Sequence, residues 1–300
     1  MAKRSILITG SSGFIGSHLV KALDGPFMVL PYDVKEKFRF DVLDWDNLYD
    51  EMEHVDIVIH CAATCGIDSV DQAPADVMTT NVIGTYNVLK AASKLSNIEL
   101  VVNFSTSEVY GPRIYDGKET DPTLQEAIGS GRWHYSVGKL AGEYFADCFY
   151  RQEGVNYVNV RPFNIFGPGQ VGEGAVHNMV TKALRDETIV VNNSGSQIRS
   201  WCYIDDFVMA IKLLLAYTEA WNETYNIGNP RNTLTVYSLA EKIVALTGSK
   251  SNIICQTKEG PEVVYRMPNI DKLRSAVGFN PVVSLDEGLK KTIEWYRRMK

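Results

Sequence analysis

The feature that most constrains this chain is an alternation. Five short apolar runs, at residues 5–9, 27–33, 57–61, 100–105 and 157–162, are each followed by helical material. Runs with no polar face read as strands buried on both sides, and such strands belong to parallel sheets covered by helices. Right-handed crossovers between them give a doubly wound α/β fold. Two helical stretches are long, 81–95 and 133–152, with alanines and tyrosines at helical spacing. Beyond residue 162 the pattern loosens into Gly- and Pro-rich turns, with helices expected over 176–186, 204–217, 238–247 and 285–299.

The chain has 300 residues, 45% of them hydrophobic, enough to bury the core of such a sheet and of a smaller lobe. Its net charge of -6, with Lys and Arg dispersed, offers no basic stripe for a phosphate backbone and argues against nucleic acid as a partner. The five cysteines, Cys61, Cys65, Cys148, Cys202 and Cys255, form no CxxC pair. An odd, scattered set reads as a reduced protein without a disulfide framework, and no metal-ligand cluster stands out. The N-terminus runs straight into a short strand, and no segment reaches the length needed to span a bilayer. The expectation is a soluble, cytoplasmic protein with no membrane, nucleic-acid or metal partner.

The first run ends in Gly10-Ser11-Ser12-Gly13-Phe14-Ile15-Gly16 and a helix follows. The glycines fall where the turn is tight, where backbone would meet a pyrophosphate and where helix packs on strand. The spacing is GxxGxxG, a weak signal alone, but the flanking strand and helix and a following acid support dinucleotide binding. That acid is Asp33, at the end of the second run, placed to receive a ribose 2′-OH and to repel a 2′-phosphate. NAD is therefore favoured, while Lys35 and Lys37 leave NADP open. Asp41 and Val42, read as the next strand end, could reach the adenine. The small residues Cys61, Ala62 and Ala63 leave room for the nicotinamide ribose. Residues 1–165 form the expected NAD-binding domain and 166–300 the smaller substrate-binding lobe, with about 195–216 packing back on the first.

Tyr135 and Lys139 lie four apart on one face of an expected helix. Most such pairs are surface neighbours. Here the chemistry gives the pair meaning: a phenol with a pKa of about 10 is a poor base, and a lysine ammonium together with a positive nicotinamide would lower it toward neutrality. The fourth run delivers Ser105, Thr106, Ser107 and Glu108 to the carboxyl end of the sheet, where ligands of open α/β folds bind.

These residues resemble the extended short-chain dehydrogenase/reductases, in their nucleotide-sugar epimerase, dehydratase and decarboxylase branch. The resemblance spans essentially the whole chain: GSSGFIGSHL, HCAA at 60–63, Asn81 opening a helix, STSEVYG, YSVGK, RPFNIFGPG at 161–169, SQIRSWCYIDDF at 196–207, YNIG at 225–228 and RMPNIDKLRSAVGFNP. It implies a Rossmann domain with a C-terminal substrate lobe. It implies Tyr135 as general base, Lys139 as the residue that orients it and holds the nicotinamide ribose, and Thr106 as partner of the sugar hydroxyl. Asn81 and Pro162 then join the cofactor site. Asn164, Arg199 and Arg266 become contacts of a nucleotide-diphosphate sugar, although Asn164 could instead cap a turn and the arginines could be surface residues. The resemblance further implies a homodimer through the helices beginning near Asn81 and Trp133.

In such enzymes, oxidation at C4 of a hexose opens three outcomes: epimerisation, loss of water across C5 and C6, or loss of carbon dioxide from a C5 carboxylate. NAD is restored each time. Thr106-Ser107-Glu108 is the best discriminator. The simple 4-epimerases usually have a small residue at the position of Glu108, and the dTDP-glucose 4,6-dehydratases have an aspartate at that of Ser107. UDP-glucuronate decarboxylases resemble this chain at all three, and the Arg132-Trp133 pair resembles the bifunctional polymyxin-resistance decarboxylase. GDP-mannose 4,6-dehydratases are similar at the triplet too. Glu108 could alternatively serve only backbone donors at a helix start. The order is decarboxylase, dehydratase, 4-epimerase. A non-catalytic NAD(P)-binding regulator is the rival of another class, and a reductase that releases its cofactor is a further one. The glycine-dense stretch 167–174 suits a loop over the sugar or a plain connector. Trp201 and Tyr203 could stack on a base or fill a strand core.

Overall fold

The computed structural model describes residues 3–35, 40–66, 72–128, 133–260 and 262–299. The first four apolar runs are strands β1 (Ser5–Thr9), β2 (Met28–Tyr32), β3 (Ile57–His60) and β4 (Leu100–Phe104). After β5 (Arg113–Gly117), which lies elsewhere, the fifth run is β6 (Tyr157–Pro162). The second half adds β7 (Ile165–Phe166), β8 (Ile189–Asn192), β9 (Ile198–Ser200), β10 (Cys202–Tyr203), β11 (Glu223–Ile227), β12 (Thr233–Thr235), β13 (Ile253–Gln256) and β14 (Tyr265–Pro268).

The main sheet has six parallel strands in the order β11-β6-β4-β3-β1-β2. Both faces are packed, as continuous apolar runs require. Ile6 and Ile8 of β1 join Ile57, Ile59 and Val160 on one side, while Leu7 joins Val58, Val101 and Leu89 on the other. Each such side chain contributes about 1.5–3 kcal/mol when fully buried. Strand order turns about β1, so β2 lies on one side and β3 on the other. That reversal opens a crevice beyond the carboxyl ends of β1 and β3.

The helix Ile204–Ala216 puts Phe207, Ile211 and Leu214 into the first core and packs on the helix Phe14–Leu23. The sixth strand, β11, also comes from the second half of the chain. It carried no continuous apolar run because it is an edge strand, with Glu223 exposed and only Tyr225 to Ile227 buried. Reciprocally, β5 from the first half joins a smaller sheet, β12-β9-β14-β5.

Two local expectations need correction. Asp41 and Val42 end no strand: they sit in a turn ahead of the helix Trp45–Met52, where Asp41 Oδ1 accepts from Leu43 N at 2.9 Å. The preceding Phe40 stacks on Tyr32, ring centroids 4.9 Å apart. Nor does Asn81 open a helix. The helical path begins at Pro74, passes through a π-turn at Thr79–Ile83 and continues as Gly84–Lys94. All five cysteines are free, and among the described residues no helix is long and apolar enough to cross a membrane.

Candidate active site

Two adjoining cavities open at the carboxyl ends of the parallel strands, one of about 920 Å³ and one of about 660 Å³. Ile165, Gln170, Glu173 and Gly174 line both, so the stretch 167–174 forms part of their shared wall. It is tethered there by His18, whose Nε2 meets the Pro168 carbonyl at 2.8 Å, and by Tyr296, whose hydroxyl donates to the Gln170 carbonyl.

The larger cavity is lined by every residue expected at the cofactor site except Asn81. Its floor is the glycine turn. Gly10 has φ of 69°, and a Cβ there would lie 2.7 Å from Ala62 N, so only glycine allows β1 and the segment after β3 to approach. A Cβ on Gly16 would collide with the Gly10 carbonyl oxygen. The helix Phe14–Leu23 begins with no side-chain cap, leaving its first N–H groups for an anionic ligand. Asp33 closes the far end: Oδ2 accepts from Ser12 N at 3.0 Å and Oδ1 from Lys35 N at 2.9 Å. Its carboxylate thus both braces the turn and borders the cavity. Lys37 lies outside the described residues.

The wall 61–64 is held from behind. Ala62 N donates to Thr9 Oγ1 at 3.1 Å, and Thr9 Oγ1 and His60 Nδ1 are 2.8 Å apart. His60 Nε2 lies 3.0 Å from Thr85 Oγ1, which spends its proton on the Asn81 carbonyl at 2.8 Å. Thr85 must therefore accept from Nε2, and Thr9 donate to Nδ1, so His60 is the neutral Nε2–H tautomer. Burial, with Lys139 adding to it, pushes its pKa down to about 3. Asn81 completes the clamp, Oδ1 accepting from Thr64 N and Nδ2 donating to Thr64 O, each at 3.0 Å. Fully buried, it braces the wall instead of facing the cavity.

Lys139 projects toward this wall from the helix Trp133–Glu153. Its Nζ is buried with no hydrogen-bond partner among the described residues. Leaving an ammonium so is costly, and burial pushes its pKa down to about 8 against the pull of Cys61 and Cys65. A ribose diol would satisfy it. This orphaned donor, the uncapped helix and the glycine turn together fit a nicotinamide dinucleotide. One turn back, Tyr135 stands beside Thr106, and both line the larger cavity. In the chain alone, burial raises the Tyr135 phenol above its ordinary range, Cys65 and Glu108 add to the rise, and Thr106 opposes it. The lowering expected from Lys139 together with a positive nicotinamide concerns the cofactor-loaded site, where an oxidised ring would add its charge beside the phenol.

The smaller cavity meets the larger where β4 ends. Thr106 caps the short 3-10 turn Ser107–Tyr110, accepting from Glu108 N at 3.2 Å. Glu108 lines the smaller cavity and pairs with Arg266, Oε1 to Nη1 3.0 Å, with side chains 20% and 5% exposed. Ser107 is buried and lines neither cavity. Arg199 and Arg266 are register partners on the parallel strands β9 and β14, so both side chains leave the same face. Both line the smaller cavity, and Arg199 donates to the carbonyls of Ile198 at 2.9 Å and Val263 at 2.7 Å. Asn164 holds the turn considered for it and also borders the cavity. Its backbone there is left-handed (φ 44°), and its side chain donates to Ser200 O at 2.9 Å. Trp201 lines the cavity too, whereas Tyr203 packs edge-on against Phe166 in the core.

Sequence reasoning did not single out Gln197, Glu262 or Lys258 on this wall. Gln197 stands inside the SQIRSW motif and was findable. Glu262 and Lys258 reach the site only because the chain passes beside β9 and β14. Arg132 lies outside the described residues, and its neighbour Trp133 donates from Nε1 to Glu126 at 2.9 Å.

Residues 6–228 match the NAD dependent epimerase/dehydratase family. The UDP-N-acetyl-alpha-D-glucosaminuronate decarboxylase of Bacillus cytotoxicus is 32% identical, over 99% of this chain and 99% of its own. The dTDP-glucose 4,6-dehydratase of Streptomyces niveus is 30% identical, over 97% of this chain and 92% of its own. Among solved structures, the UDP-glucose 4-epimerase of Thermotoga maritima, with UDP-glucose, superposes with a TM-score of 0.90 at 27% identity, covering 98% and 99% of the two chains. The chain belongs to the NAD dependent epimerase/dehydratase family, the nucleotide-sugar branch of the extended short-chain dehydrogenase/reductases, and is a catalytic member of it. Its relatives divide among decarboxylation, dehydration and epimerisation.

Proposed function

We propose that this enzyme decarboxylates a UDP-linked hexuronate, UDP-glucuronate being the first candidate. The observation that carries the reading is the Glu108–Arg266 pair on the smaller cavity, beside Thr106 and Tyr135. A guanidinium nearly withdrawn from water is suited to locate a substrate carboxylate, and Glu108 fixes its direction. Dehydration asks for an acid to protonate the departing C6 hydroxyl. Ser107, at that place in the triplet, is buried and off both linings. The full-length likeness to a uronate decarboxylase supports the same choice.

In this reading the diphosphate lies toward Arg199 and Asn164, and the uronate ring lies between Tyr135 and the Glu108–Arg266 pair. NAD, when bound, takes the C4 hydride and later returns it. Tyr135 takes the C4 hydroxyl proton, with Thr106 sharing that hydrogen bond, and Lys139 holds the cofactor ribose and the charge beside the phenol. The C4 ketone makes the C5 carboxylate a β-keto acid. The C5–carboxyl bond breaks, carbon dioxide departs and its electrons pass to the C4 oxygen, where the protonated Tyr135 and Thr106 stabilise the enolate. C5 takes up a proton, and Tyr135 returns its own to the C4 oxygen as the hydroxyl is restored.

Mass spectrometry of products tests this, using UDP-glucuronate, UDP-N-acetylglucosaminuronate, dTDP-glucose and GDP-mannose with NAD. The expected result is loss of carbon dioxide from a uronate with no net consumption of NAD. Loss of water from a neutral sugar, with both uronates untouched, would replace the reading with a dehydratase in which Glu108 is the C5 base. The apolar side chains Ile83, Val137 and Tyr144 are exposed on the two helices that the resemblance assigns to a homodimer, which supports that assembly. Sedimentation at several concentrations tests it.

A further inference from the structure

Three of the motif residues, Arg161 in RPFN, Asn226 in YNIG and Asn269 in PNID, have no part in the chemistry above. Arg161 and Asn226 share one buried hydrogen-bond network, which Asn269 meets at its edge through its backbone N–H. Arg161 grips Glu143 with two parallel bonds, Nε to Oε1 at 2.8 Å and Nη2 to Oε2 at 2.6 Å. Ser105 Oγ donates to the same Oε1. Arg161 Nη1 donates to the Tyr110 hydroxyl at 2.7 Å, and that hydroxyl donates to Asn226 Oδ1 at 2.9 Å. Asn226 Nδ2 donates to the Gly117 carbonyl at 2.9 Å, which also accepts from Asn269 N at 2.8 Å.

The endpoints of this network give it meaning. Glu143 is one helical turn beyond Lys139, on the helix that carries Tyr135. Ser105 precedes Thr106, and Tyr110 ends the turn that carries Glu108. Gly117 is paired with Pro268 on β14, the strand that carries Arg266. Three segments distant in sequence are thus joined by directional bonds whose central groups, Glu143, Arg161, Tyr110 and Asn226, are each at most 6% exposed.

A buried ion pair is weak evidence for stability, because desolvation offsets its attraction and apolar replacements of similar volume often do as well. Hydrophobic contacts, being non-directional, would permit small slips between helix and strand. We propose that the Glu143–Arg161 network is the positioning device of the active site, setting the catalytic helix, the Thr106–Glu108 turn and the Arg266 strand in one register. Glu143 and Arg161 are positioning residues that act through Tyr135, Thr106 and Arg266, and the proposal rests on the roles given to those three.

The test is the double variant Glu143→Leu with Arg161→Met, which removes both charges and keeps the volume. Its urea midpoint should equal or exceed that of the wild type. Its kcat should fall about a hundred-fold, the cost of a small misplacement, with KM changed by less than about two-fold. The pH midpoint of Tyr135 ionisation in the NAD-loaded protein, followed as tyrosinate absorbance against Tyr135→Phe, should move by about one unit. A stable double variant with wild-type kcat and an unmoved midpoint overturns the proposal. If that variant does not fold, Ser105→Ala and Tyr110→Phe each delete one hydroxyl. Both should lower kcat about three- to ten-fold at constant KM, and wild-type rates in both would equally overturn it. The tyrosine titration needs no sugar, so a wild-type enzyme that releases no carbon dioxide defeats the proposed function while leaving this inference testable.

Discussion

The two cavities are built on different plans. The larger is made from short stretches that each follow a parallel strand: the glycine turn after β1, Asp33 after β2, Cys61 to Ala63 after β3. Backbone groups and small side chains do most of the shaping. The smaller draws Glu108, Asn164, Arg199, Lys258 and Arg266 from segments spread over more than half the chain, with Glu108 and Arg266 paired and Arg199 held by backbone carbonyls. A site of local backbone geometry binds a common group shared across a family. A site of distant ionic side chains can be altered one residue at a time, which suits a family whose members act on different sugars.

The sharpest break in that comparison is expected where the cavities meet. Tyr135→Phe should reduce turnover about 10²–10⁴-fold while bound NAD, measured after gel filtration, stays near the wild-type level. Loss of cofactor in parallel with activity would mean that Tyr135 belongs to the larger cavity alone. Next is the smaller cavity. Arg266→Gln should lower kcat/KM on the uronate about 10²-fold and cost about 2–3 kcal/mol in urea unfolding, below the usual cost of a broken buried pair because Glu108 keeps some solvent. An undiminished rate would remove the pair from the mechanism.

The larger cavity makes the opposite trade. With its folded pKa near 8 against an ordinary value of 10.5, Lys139 binds fewer protons folded than unfolded between those limits. Stability without cofactor should therefore rise as pH climbs through that window, and the full penalty should apply below it. Lys139→Met should abolish turnover yet unfold about 1–3 kcal/mol later at pH 7, with the gap closing toward pH 10. A pH-independent gap would show that Lys139 is not desolvated. The smallest effect is expected at Asp33→Asn, which keeps an acceptor for only one of the two amides, Ser12 N or Lys35 N: NAD affinity should fall about ten-fold by titration calorimetry, and NADP should gain relative to NAD.

Legibility followed the same division. The glycine turn, Asp33 and the Tyr135–Lys139 pair were readable because a tight turn, a strand end and a helical repeat are all short-range patterns. The large sheet was readable for the same reason, apart from β11, whose exposed edge broke the apolar run. Asn81 was expected to open a helix, but it stands inside a π-turn with its amide on Thr64. Asp41 and Val42 line the expected cavity from a turn, since Phe40 answers to Tyr32 and not to a neighbouring strand. The motif at 161–164 was visible, but its arginine was silent until Glu143 stood beside it.

By itself the sequence determined the parallel sheet, the nucleotide turn and the residue types able to move a proton, because each depends on periodicity or on a bend within a few residues. Only the tertiary structure decided which carboxylate Arg266 meets, that Arg199 shares its face, that His60 is held neutral and that Glu143 is tied to Arg161. Those are encounters between groups far apart along the chain, set by strand register and by the cost of leaving buried charges and donors unpaired, and no local pattern encodes them.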